Sequence, residues 1–209
     1  MQKVINSHCH IYPDKIAAKA VKGIRDFYDL HMSLNGTVND LIEDGNKVGV
    51  CHYLIHSVAT TPKQVQSINE FISFEVKSHP DLFTGFGTLH PDSEDIEGDL
   101  DYIIELGLKG VKVHPDFQQF ALNEEKAFKM GEAINERGLP IMIHCGDFRY
   151  DYSNPKYIAN VHKKHPDLVI IAAHFGGYTQ WDEAYEYLCG TDVYFDTSSS
   201  LWKLPVEKA

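Results

Sequence analysis

Seven short β-rich runs recur along this chain, at 3–11, 50–58, 82–90, 110–114, 140–146, 168–176 and 192–198. Helical stretches separate most of them. In "TPKQVQSINEFISFEVKSH" the apolar residues Val65, Ile68, Phe71, Ile72 and Val76 recur close to the helical period. "NEEKAFKMGEAINERG" opens with Asn123 as a cap and an acidic first turn, and stops at Gly138. Strand followed by helix, repeated, specifies βα units and a parallel sheet. Runs as apolar as "LVIIAA" suit a sheet covered on both faces. No Gly-rich phosphate loop follows any strand, which counts against a dinucleotide or P-loop fold. The expected fold is therefore α/β, a (β/α)8 TIM-type barrel forming a single domain over residues 1–209.

Such barrels carry their active site at the C-terminal strand ends. His8 and His10 fall late in the first run and His56 late in the second. His90, His114, His144 and His174 end the third to sixth, and Asp196 closes the seventh. Packing alone gives no reason for a ligand-capable side chain at every strand end. His8 and His10, two apart on a strand, project to one face while Cys9 turns toward the helices. Neutral imidazoles converging in this way suit a divalent cation, zinc above all. "HPD" occurs four times, but His79 and His165 close helices at the far end of the barrel, whereas His90 and His114 open loops on the catalytic side.

The formal net charge of −11 disfavours nucleic acid and anionic membrane as partners, and points to a small-molecule substrate. No apolar run reaches the ~20 residues of a membrane helix, and the N-terminus lacks a signal-peptide core, so a cytoplasmic protein is expected. Cys9, Cys51, Cys145 and Cys189 show no paired spacing, consistent with reduced thiols.

"VINSHCHIYP", "GLKGVKVHPDFQ", "LPIMIHCG" and "LVIIAAHFGGYTQWDE" resemble, in order along the chain, the amidohydrolase superfamily. Within it they look most like the branch related to aminocarboxymuconate-semialdehyde decarboxylase. The resemblance implies one divalent metal, zinc with manganese as the alternative, held by His8, His10 and His144. It implies His174 beside the metal as general acid/base. Lys112 and His114, on one face of the fourth strand, are expected to bind substrate; a carbamylated, metal-bridging Lys112 is the less favoured reading. Arg149, in the loop after His144, is expected to pair a substrate carboxylate.

Two departures accompany the resemblance. Asn6 stands where the family often has aspartate. The family's eighth strand, with the aspartate that completes its site, is expected to be missing, so the barrel reads as truncated after strand seven. "GTD" at 190–192 precedes the seventh strand, so Asp192 is expected at the wrong end of the barrel. The expected activity is hydrolysis of an amide, lactone or similar bond; non-oxidative decarboxylation is the alternative, and a TatD-like nuclease a weaker one. Residues 12–49 exceed one crossover helix and are expected to form part of a lid or of a homodimer contact.

Overall fold

The computed structural model describes residues 3–208. Strand β1 (Val4–His10) pairs in parallel with β2 (Val50–His56), across helices α1 (Asp14–Tyr28) and α2 (Val38–Val48). Helix α3 (Val65–Ser78) leads to β3 (Phe83–Gly85), which pairs with β2. After a single residue, β4 (Gly87–Thr88) continues the same run but pairs with β5 (Val111–Val113), beyond helix α4 (Ile96–Glu105). The change of partner occurs at Phe86. Its N–H donates to Ile55 O on one side, and the N–H of Gly87 donates to Gly110 O on the other. The third expected strand is thus one strand broken in the middle, joining two sheets into a single parallel arc.

The arc continues through β6 (Ile141–Ile143), β7 (Ile170–Ala172) and β8 (Tyr194–Phe195). Between them run α5 (Pro115–Gln118), α6 (Glu125–Glu136), α7 (Pro155–Lys164) and α8 (Trp181–Leu188). Alternation along each strand sorts its side chains. Cys9, Tyr53, Ile55, Val111, Val113, Ile141, Ile143, Ile170 and Ala172 join the apolar layer beneath the helices. The alternate positions, among them His8, His10, His56, Lys112 and His144, face the barrel axis. One expectation shifts: the cap of α6 is Glu124, not Asn123, and its carboxylate accepts the Ala121 N–H instead of a helical one. His79 and His165 cap α3 and α7, as their "HPD" context predicts.

Among the described residues β8 and β1 share no ladder. Val4, Ile5, Tyr194 and Phe195 stand 40%, 63%, 63% and 37% exposed along this seam, and the hydrogen bonds that cross it among the described residues join His8 to Asp196 and Ser198. No helix among the described residues is long and apolar enough to cross a membrane.

Candidate metal centre

The strand ends bring six histidines into one buried ring: His8, His10, His56, His114, His144 and His174. His8 Nδ1 lies 2.7 Å from Asp196 Oδ2, across the seam between β1 and β8. Donation of the Nδ1 proton to that carboxylate leaves the Nε2 lone pair free. His8 Nε2 in turn faces His10 Nε2 at 3.3 Å. Two nitrogens bound tetrahedrally to one zinc ion stand about 3.4 Å apart, so the pair already has the spacing of adjacent ligands. His10 Nδ1 and both ring nitrogens of His56 are buried without a hydrogen-bond partner among the described residues. These three histidines bring potential ligand atoms within 4.8 Å of one another. A donor-rich pocket with unused nitrogens fits a divalent ion.

Asp196 organises this corner. Besides His8, its Oδ1 accepts the backbone N–H groups of His174 and Ser198 at 3.0 and 2.9 Å. His174 itself has φ +62, a conformation a non-glycine residue adopts only when its surroundings impose it. Burial alone would raise the Asp196 carboxyl, but the hydrogen bonds it accepts from His8 and Ser198 hold it below the usual carboxylate range. Burial lowers all six histidines, His174 to about 3, so without a cation they are neutral.

Hydrogen bonding assigns their tautomers. His174 Nδ1 donates to Ser198 O at 3.0 Å, leaving Nε2 to accept from His144 Nδ1 at 2.9 Å. His114 Nδ1 accepts the Phe117 N–H at 3.3 Å, so its Nε2–H donates to Tyr28 Oη at 2.9 Å. The Tyr28 hydroxyl also stands 3.4 Å from His144 Nε2. His114 and His144 stack at 3.8 Å with planes 8° apart. With Asp116 they form a second close set of potential ligand atoms, all within 4.8 Å of one another. Burial raises the Asp116 carboxyl to about 7.

Of the ligands expected from the sequence, His8 and His10 come together as a pair, with His56 as third neighbour. His144 stands in the adjoining group and reaches the pair through His174. His114 and His174 both line the cavity. Two residues expected to bind substrate, Arg149 and Lys112, stand outside the cavity lining. The Arg149 guanidinium is bound by Asp147 through Nε at 2.9 Å and Nη2 at 2.6 Å, and by Phe27 O, outside the cavity lining. Lys112 is fully buried, does not line the cavity, and its Nζ finds no partner among the described residues. Burial pulls this ammonium down to about 8. Asp192 is exposed in the turn before β8, away from the ring. Tyr28 and Ser198 join the site unannounced by any motif, and Asp116 joins it as the last residue of the "HPD" that His114 opens. His56 and Asp196 were signalled only by standing at strand ends.

Five of the six histidines, His8, His10, His114, His144 and His174, form the floor of a cavity of about 480 Å³; His56 lies behind them, outside its lining. The cavity walls come from the loops after the strands and from residues 21–41, the α1–α2 excursion.

A family model described as amidohydrolase matches residues 5–205. No protein of curated function matches the sequence. Among solved structures, the chain is similar to an uncharacterized TIM-barrel protein from Bordetella bronchiseptica, with a TM-score of 0.74 and 15% identity over 99% of this chain and 79% of that one. It is similar to a 5-carboxyvanillate decarboxylase from Novosphingobium aromaticivorans, solved with bound manganese, with a TM-score of 0.67 and 18% identity over 88% and 68%. A dihydroxybenzoic acid decarboxylase from a Polaromonas species, also with manganese, gives 0.61 and 16% over 90% and 68%. At these identities the likeness establishes the barrel fold.

Proposed function

The chain belongs to the amidohydrolase family, and on that premise we propose that it is a metal-dependent hydrolase cleaving an amide, lactone or similar bond of a small molecule. The observation that carries the reading is the facing pair His8 Nε2 and His10 Nε2, 3.3 Å apart on a cavity floor, with Asp196 behind His8. His8 and His10 hold the ion in this reading, and His144 or His56 supplies the third nitrogen. A divalent ion held there would supply Lewis acidity, lowering the pKa of a bound water to about 7 and polarising the scissile carbonyl. Asp196 keeps His8 in its ligand tautomer and, through the His174 N–H, sets the backbone of the acid/base residue. His174 Nε2 accepts from His144 Nδ1 in the metal-free fold; were His144 to give Nδ1 to the ion, that lone pair would be freed to take a proton from the attacking water and return it to the leaving group. Ser198 O holds the other side of the His174 ring.

The nitrogen-rich donor set favours zinc, while two similar structures contain manganese. Competitive loading of metal-free protein, read by elemental analysis and by rate, separates the two. A second reading is non-oxidative decarboxylation on the same scaffold, favoured by the decarboxylases among the similar structures. Metal-loaded protein assayed against a panel of esters, lactones and amides, beside carbon dioxide release from aromatic acids, decides between them. Hydrolysis without carbon dioxide release supports the hydrolase; the converse result replaces it.

A further inference from the structure

One wall of the cavity is not made by the barrel. Val21, Ile24, Leu30, Met32, Leu34 and Leu41, all from the α1–α2 excursion, cover the histidine floor. Phe117 and Tyr178 face the same space. Among the described lining residues there is no lysine or arginine, and the one carboxylate, Asp40, is already hydrogen-bonded by the Asn35 N–H at 2.9 Å. Arg149, whose loop follows the strand carrying His144, is neutralised by Asp147, and Lys112 is sealed beneath the cavity surface. A second anionic group on a substrate would therefore lose water and gain no counter-charge, a costly exchange. An apolar group in the same place gains by leaving water.

We propose that the substrate joins one hydrolysable polar group to an uncharged, apolar remainder, and that the α1–α2 wall selects it. The inference names the substrate class for the hydrolase reading above and rests on it for the reacting group alone. Aliphatic acids of equal length make the comparison. Hexanoate and adipate can each offer one carboxylate to the metal floor, and they differ only at the far end.

Calorimetric titration of zinc-loaded protein with each acid is paired with hydrolysis of the p-nitrophenyl ester of hexanoate and the mono-p-nitrophenyl ester of adipate. Hexanoate is expected to bind at least about tenfold tighter, and its ester to show a similar advantage in kcat/KM. Ile24→Lys, which places a cation in the wall, is expected to reverse the preference. Leu34→Lys, at a half-exposed position, makes the same test should the first variant fail to fold. Equal binding of the two acids, tighter binding of adipate, or a preference unmoved by the lysine variants overturns the proposal. If neither ester turns over yet hexanoate keeps its advantage and the variants reverse it, the selective wall stands and the hydrolase reading fails.

Discussion

The Asp196 carboxylate does more than any other single group to shape the site. It accepts from His8, from the His174 backbone and from Ser198, while His8 presents its free nitrogen to His10. Asp196→Asn preserves the shape and removes the charge, and is expected to weaken metal affinity by about 10–100-fold, measured by titration against a chelating indicator. His8→Ala and His10→Ala are expected to purify without stoichiometric metal, as read by elemental analysis; full occupancy in either would remove the ligand assignment. Lys112→Met replaces a fully buried, unpartnered ammonium with an apolar chain of similar length. Relieving an unsatisfied buried group of this kind is worth about 1–3 kcal/mol, so the variant should unfold at higher urea than the parent. The pair His8 and His10 is legible in the sequence because a spacing of two on a strand dictates a shared face. The pairing of Arg149 with Asp147, two residues away, was not legible, because sequence position cannot say which carboxylate a guanidinium takes.

At the scale of elements, the loops after β6 and β7 meet through a glycine. Gly146 sits at φ +73, and a Cβ there would lie 2.2 Å from Gly177 O. Gly146→Ala therefore combines a left-handed backbone penalty of about 1–2 kcal/mol with a backbone collision. Its urea midpoint should drop by more than the penalty alone implies, with an unchanged m-value. These two loops follow His144 and His174, so metal affinity should weaken in the same variant. The alternation of strands and helices could be read from hydrophobic period, because the two periodicities differ. Strand lengths could not. The expected nine-residue run at 168–176 keeps only Ile170–Ala172 as ladder, since its last residues turn to carry His174 into the ring. The break at Phe86 was equally hidden, because a strand's change of partner is decided by its neighbours.

For the molecule as a whole, the ring of histidines links stability to pH. All six have their proton affinity lowered in the fold, chiefly by burial. Between the unfolded value of 6.5 and the folded value of about 3 for His174, the unfolded chain binds the extra protons. Stability is thus fully present above pH 6.5 and is lost as pH falls through that window. Asp196, held low, adds loss in the same direction on further acidification, while Asp116, raised to about 7, adds stability at low pH that fades as pH rises through 7. With six groups against one, the melting temperature of metal-free protein should fall between pH 6.5 and 4. A flat profile in scanning calorimetry with chelator present would contradict a neutral, buried ring.

Local pattern was enough to determine the parallel α/β architecture, the barrel and the strand-end row of histidines, because period and position act over a few residues. Only the tertiary structure decided which of those residues meet. Asp196 reaches His8 across 188 positions of sequence, Tyr28 arrives from a helix outside the strand pattern, and an apolar wall closes over the ring. Such contacts depend on how the arc of strands curves and on what packs against it, and neither is written in the spacing of any one segment.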